Sequence, residues 1–165
     1  MTRYLIAIVL PSSLELAVRR YYQQTFNEPC YIHTLHCTFI SPFILNESIT
    51  PDILLKKITV PPDTFQFGVP NVFVQKSKNV LYLPIIPPEP LAVLYKEIFT
   101  MTAPSVHIET NAYNGGVLPE YLPHVTVNYN FKGEISQFLA PQITFNLPTP
   151  QLLIETGPGI WVPVA

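Results

Sequence analysis

Apolar positions along the chain fall into short blocks of two different periods. Leu5 to Leu10 is an unbroken apolar run, and a run that short reads as a buried strand, from about Arg3 to Leu10. Leu14, Ala17, Val18 and Tyr21 then recur at helical spacing, which predicts a helix from about Leu14 to Phe26 capped by Ser12 or Ser13. A second strand is expected over Ile32–Phe39, ending at Ser41-Pro42, and Thr50 with Pro51 marks the start of a short helix through Ile58. Phe65–Gln75 and Val80–Ile86 read as strands joined by a turn at Lys76–Asn79.

Further along, Leu91, Leu94, Tyr95 and Ile98 form one face of a helix from about Pro90 to Met101. The stretch from Ala103 to Pro123 has the weakest periodicity, and Asn111, Asn114, Gly115-Gly116 and Pro119 favour a loop there. Asn111 to Pro123 reads equally as a lid or as an ordinary surface loop. His124–Tyr129 is a predicted strand and Gly133–Ala140 a short helix. Ile143–Phe145, Gln151–Glu155 and Gly159–Val164 are terminal strands. This mixed order argues for an α+β fold rather than a doubly wound parallel sheet.

Composition narrows the class. A chain of 165 residues with 48% hydrophobic and 12% charged residues can bury a sizeable core and is not disordered. A net charge of −2 argues against a broad grip on long duplex DNA, while a small, locally recognised phosphoester stays possible. The 19 prolines sit largely outside the apolar runs, where they end elements and blunt sheet edges. Two cysteines, Cys30 and Cys37, are too few for a disulfide scaffold and fit a reducing compartment as buried thiols. The first apolar run is too short to span a bilayer and is followed by Pro11 and an amphipathic stretch. The expectation is therefore a cytoplasmic protein without a membrane partner.

Two strings carry the chemistry: His36-Cys37-Thr38-Phe39 and His124-Val125-Thr126-Val127, one in each half of the chain. On a strand, residues two apart share a face, so each string presents an imidazole beside a hydroxyl. Taken singly, each is more simply a structural histidine and a good strand former. Two copies are harder to dismiss. One imidazole can take a proton from water while another, protonated, gives one to a departing oxygen. Threonine hydroxyls can donate to phosphate oxygens without adding charge, and the arrangement needs no metal or other cofactor.

These strings resemble the motifs of the two-histidine (2H) phosphoesterase superfamily, which includes bacterial 2′-5′ RNA ligases and RNA 2′,3′-cyclic phosphodiesterases. Arg3 to Pro11 is similar to the opening strand and proline turn of that family. Leu35 to Phe39, continuing to Pro42-Phe43, resembles its first motif, and Pro123 to Val127 its second. The resemblance implies one bilobal domain over 1–165, with two related α+β lobes of antiparallel sheet and helices around a cleft. Lobe one carries the motif near 36–39 and lobe two the motif near 124–127. It further implies His36 and His124 as the catalytic pair and Thr38 and Thr126 as phosphate ligands. In hydrolysis His124 is written as base and His36 as acid, with the roles exchanged in the ligating direction. The implied partner is a nucleotide or short RNA carrying a 2′,3′-cyclic or 2′-5′ phosphate.

Many members of the family carry a basic residue shortly after the second motif, where this chain has Asn128-Tyr129-Asn130 before Lys132. Arg3 and Lys132 are the candidate cations, and Tyr4 and Tyr129 are candidate substrate contacts. Tyr82 and Tyr113 are further aromatics able to stack on a base, each equally explicable as a core or rim ring. The missing cation keeps a second reading open, a non-catalytic nucleotide- or RNA-binding module on the same scaffold. His33 and His36 form a His-x-x-His string, but an offset of three on a strand puts them on opposite faces, unsuited to joint metal ligation. His107 reads as a surface residue near the loop.

Overall fold

A computed structural model of the protein describes residues 1–46, 49, 58–60, 62–108 and 120–164. Nine antiparallel strands form one curled, half-barrel sheet: β1 (Tyr4–Val9), β2 (His36–Leu45), β3 (Gln66–Phe67), β4 (Asn71–Val74), β5 (Asn79–Ile86), β6 (Val106–Ile108), β7 (His124–Asn128), β8 (Gln151–Gly157) and β9 (Ile160–Pro163). The order across the sheet is β3-β5-β7-β2-β1-β8-β9, with β4 also on β5 and β6 also on β2. Two helices complete the described α+β architecture, α1 (Ser12–Phe26) and α2 (Glu89–Thr102).

The apolar run at the start becomes β1, a central strand, as its continuous hydrophobicity requires. Its two faces serve two cores. Ile6 and Ile8 join the main core with Leu14, Val18 and Tyr22 of α1 and with Leu91, Leu94, Tyr95 and Ile98 of α2. Leu5 and Ala7 face the other way and pack with Leu153 and Trp161 in a small second cluster. Both helices therefore contribute to the main core on one side of the sheet. Among the described residues the other side carries that small cluster, the stacked rings of Phe73 and Tyr82, and polar residues between them.

Several predicted boundaries shift for physical reasons. Helix α1 starts at Ser12 with Pro11 as its flanking residue, and neither serine caps it. The Pro11 carbonyl instead accepts from the backbone N–H groups of Leu14 and Glu15, both at 2.9 Å. Strand β2 does not stop at Ser41-Pro42 but runs on to Leu45. Its register with β1 slips between Phe43 and Ile40, so a bulge takes up Ser41-Pro42, where a missing N–H is tolerated.

The stretch expected as one strand over Phe65–Gln75 is split into β3 and β4 by Gly68-Val69-Pro70. The expected helix at Gly133–Ala140 reduces to a single 3-10 turn, Ile135–Gln137. Gly133 and Pro141 leave too short a run between them to propagate a helix. The turn presents Phe138 to Tyr22 and Phe26 instead. Ile143–Phe145 pairs only through an isolated bridge from Phe145 to Phe65. Within the stretch expected as a loop, Val106–Ile108 pairs with β2 as β6. The expected short helix from Thr50 to Ile58, except for Ile58 itself, and most of the 111–123 segment, with Tyr113, lie outside the described residues.

Among the described residues, no helix is long and apolar enough to cross a membrane. No group of three or more His, Cys, Asp or Glu is gathered as a metal cluster among them. Cys30 and Cys37 are buried free thiols, and burial pushes the Cys37 thiol up to about 11.

Candidate functional site

The two His-x-Thr strings lie on neighbouring strands at the middle of the sheet. β2 and β7 pair antiparallel with Cys37 opposite Val125. Stepping one residue either way sets His36 beside Thr126 and Thr38 beside His124. All four side chains therefore share the face opposite α1 and α2. Cys37, Phe39, Val125 and Val127 go into the core on the other side.

Adjacent strands extend this square into two rows. In one row, Asn71 of β4 stands opposite Tyr82 of β5, Tyr82 opposite Thr126, Thr126 beside His36, and His36 opposite Val9 of β1. In the other row, Pro84 stands opposite His124, His124 beside Thr38, Thr38 opposite Ala7, and Ala7 opposite Gln151 of β8.

Each imidazole is fixed through its Nδ1. His36 Nδ1 lies 2.7 Å from the Thr34 carbonyl oxygen, and His124 Nδ1 lies 2.7 Å from the Leu122 carbonyl oxygen. A carbonyl only accepts, so each ring donates from a protonated Nδ1. When neutral, both rings then carry their lone pair on Nε2. No hydrogen-bond partner is found among the described residues for either Nε2, for Thr38 Oγ1 or for Thr126 Oγ1.

The His36 carbonyl partner is itself anchored. Thr34 Oγ1 donates to the Trp161 carbonyl of β9 at 2.9 Å, although β9 stands three strands from β2 in the sheet order. Upstream, the Arg19 guanidinium donates to the carbonyls of Cys30, Ile32 and His33 at 2.9, 2.7 and 3.0 Å and pairs with Glu15. The connection from α1 to the first string is thus clamped at both ends.

His124 is walled by aromatic rings. Phe73 and Tyr82 stack at 4.0 Å, and the His124 ring meets both edge-on, with centroids 5.1 and 5.2 Å away. Burial pushes both imidazoles below the ordinary histidine value, and the backbone carbonyl on Nδ1 partly opposes that in each. Charge on His124 further lowers His36, so the two rings are within electrostatic reach of each other. Such a face can bind an anion between two hydroxyls and two imidazoles, and can accept a proton at one Nε2 while donating one from the other.

The remaining sequence candidates lie elsewhere. Arg3 pairs with Glu155 at 2.7 Å, and its guanidinium sits 5.9 Å from the Trp161 ring centre. Tyr4 turns to the helix side, stacked on Phe43 at 6.2 Å. Tyr129 is exposed beyond the end of β7 with the Lys78 ammonium 5.6 Å from its ring centre. Lys132 is exposed and lines a separate pocket of about 340 Å³ with Glu28, Asn128 and Asn130.

Asn128 has a specific reason for leaving the face. The register of β7 with β5 slips after Thr126, so Asn128 stands opposite Leu81 and turns toward the helices. Its amide donates to Tyr22 Oη at 2.7 Å. The exposed His33 ring meets the Thr34 hydroxyl at 3.1 Å through Nδ1, and His107 is exposed on β6.

Sequence reasoning singled out neither Phe73 nor Thr34 nor Gln151. Phe73 and Gln151 reach the site's face by strand pairing between distant segments, and Thr34 reaches it from the bend just before β2, so no local periodicity announces any of them. The alternation of the strings themselves was the available signal. Compared with protein-family models and with curated proteins, the chain matches none.

Proposed function

We propose that the protein is a metal-independent phosphoesterase of the two-histidine kind, acting on a 2′,3′-cyclic phosphate or a 2′-5′ phosphodiester of a nucleotide or short RNA. One observation carries this reading. Two imidazoles with their Nδ1 atoms tied to carbonyls and two threonine hydroxyls present four unpartnered polar atoms on one open sheet face.

In the reaction, Thr38 and Thr126 donate to the non-bridging phosphate oxygens. A neutral Nε2 takes the proton from water as its oxygen bonds to phosphorus. The P–O bond on the opposite side breaks, and the protonated partner imidazole delivers its Nε2 proton to the departing ribose oxygen. His124 is written as base and His36 as acid, and ligation exchanges them. On this reading the chain is a single bilobal domain with one motif per lobe, working on a nucleotide in a reducing cytoplasm with its thiols free. The resemblance of the paired strings to the two-histidine superfamily supports it.

A specific observation favours a second reading, a non-catalytic nucleotide- or RNA-binding module. Neither row of the sheet face carries a lysine or arginine among the described residues, so nothing there offers a phosphate a fixed positive charge. A panel of 2′,3′-cyclic and 2′-5′ nucleotides, assayed in chelator, separates the two. Turnover that disappears in both His36→Ala and His124→Ala supports the enzyme. Binding without turnover supports the module.

A further inference from the structure

We propose that Tyr82 is a third hydroxyl donor to the phosphate, completing with Thr38 and Thr126 an anion site that uses no lysine or arginine. This rests on the functional reading above and adds a binding residue to the same site.

Tyr82 of β5 stands directly opposite Thr126 of β7, which in turn stands beside His36. Direct opposition on paired strands puts the three side chains on one face. The tyrosine ring is held on two sides. It stacks on Phe73 at 4.0 Å and 15°, meets the His124 ring at 5.2 Å, and the residue as a whole is only 5% exposed. The hydroxyl is placed differently. It has no hydrogen-bond partner among the described residues, and no solvent-buried side-chain oxygen lacks one there. The small part of Tyr82 that solvent reaches therefore includes its Oη.

A tyrosine that buries its ring ordinarily finds a partner for its hydroxyl. Here the cross-strand neighbours do not supply one. Asn71, on the far side of Tyr82 in the row, spends its side-chain oxygen on the Val72 N–H at 2.7 Å, and the Thr126 hydroxyl is itself unpartnered. A tyrosine reaches further from the sheet than a threonine. A phosphate resting on the threonine hydroxyls thus meets Tyr82 Oη from the side, at its outer oxygens. Partial burial holds the phenol above its ordinary pKa, so it stays protonated and donates. With no lysine or arginine in either row, a further hydroxyl is what this face offers the charge of the phosphate. A hydrogen bond to a charged acceptor is stronger than one between neutral groups.

The test is Tyr82→Phe, which keeps the ring, its stack on Phe73 and its contact with His124, and removes the hydroxyl alone. On a nucleoside 2′,3′-cyclic phosphate, kcat/KM is expected to fall about ten- to a hundredfold, the worth of one hydrogen bond to a charged group. Inorganic phosphate, titrated against the labelled His36 and His124 rings by NMR, is expected to bind severalfold more weakly. The melting temperature is expected to stay unchanged, because the hydroxyl has no partner in the protein to lose. A variant that binds inorganic phosphate as the wild type does overturns the inference and leaves the His-x-Thr site standing, whether or not its turnover or melting temperature changes.

A measurement on the wild type alone covers a variant that fails to fold. Inorganic phosphate is expected to shift the Tyr82 13Cζ resonance, which reports hydrogen bonding by the phenol, together with the two imidazoles. Imidazoles that respond while Tyr82 stays still overturn this inference alone. Imidazoles that do not respond overturn the functional reading and this inference with it.

Discussion

His36 and His124 are held in the same way: each donates from Nδ1 to the carbonyl oxygen of the residue two before it, at 2.7 Å in both strands. The antiparallel pairing of β2 with β7 relates the two arrangements by an approximate twofold axis near Cys37 and Val125. One local geometry used twice therefore presents two equivalent Nε2 atoms to one region of the sheet face. On the proposed function, each is a candidate for base or acid.

The pH dependence follows from the direction of the shifts. Burial lowers both imidazoles below the ordinary 6.5, and charge on His124 lowers His36 further. The base must be unprotonated, so the rate rises as pH passes up through its pKa. The acid must be protonated, so the rate falls above its own. With both values depressed, kcat/KM is a bell with its maximum below about pH 6.5. A pH–rate profile peaking well above neutrality contradicts this. The same shifts act on stability. Between the unfolded value near 6.5 and the lower folded values, the unfolded chain binds more protons, so the fold loses stability as pH drops through that window. Melting curves of His36→Gln/His124→Gln are expected to depend less on pH there.

Phe73 tests the cause of that shift at one ring. It meets His124 edge-on and shields it from water. Phe73→Ala readmits water, and the His124 pKa rises toward its ordinary value. The expected result is that one limb of the pH–rate profile moves to higher pH, while NMR titration shows the same displacement at His124 and a smaller one at His36.

Thr34 links the last strand to the first histidine through its hydroxyl bond to Trp161 and its carbonyl bond from His36. Thr34→Val removes only the hydroxyl and leaves the carbonyl. Its expected cost is about 1 kcal/mol of stability by denaturant unfolding. A loss of kcat of several-fold accompanies it, because the carbonyl that orients His36 is less firmly held. Thr34→Ser, which keeps the hydroxyl, restores kcat.

Arg19 is the main clamp on the connection between α1 and β2. Arg19→Ala removes three carbonyl contacts and the Glu15 pair together, and about 2 kcal/mol of destabilisation is expected. Arg19→Lys recovers little, since a single ammonium cannot span the three carbonyls. Chemical denaturation of the three proteins measures both effects.

Most of the elements were legible in the sequence, because burial leaves a period. β1 reads from its apolar run, α2 from Leu91, Leu94, Tyr95 and Ile98, and β7 from the alternation after Pro123. What failed to show depends on register. The bulge that carries β2 through Pro42, and the slip that turns Asn128 away, come from how partner strands align, which no single segment encodes. The site divides along the same line. His36, Thr38, His124 and Thr126 were visible as two strings with strand alternation. Their meeting as one square, and the arrival of Phe73 and Gln151 on its face, required the strand order β5-β7-β2-β1-β8 with β4 also on β5, and the anchoring of Thr34 required β9 to approach the start of β2. Arg3 and Lys132 were singled out by charge alone, and charge says nothing about which face a residue joins.

The central claim, that His36 and His124 act on one phosphate as a base and acid pair, is tested most directly by a double-mutant cycle. It compares kcat/KM of the wild type, His36→Ala, His124→Ala and the double variant on a nucleoside 2′,3′-cyclic phosphate. Each single substitution is predicted to cost about 10²- to 10⁴-fold. The double variant is predicted to be hardly worse than the more damaged single one, because either loss disables the same proton-transfer unit. Losses that multiply fully, or a single variant that retains wild-type activity, contradict the account.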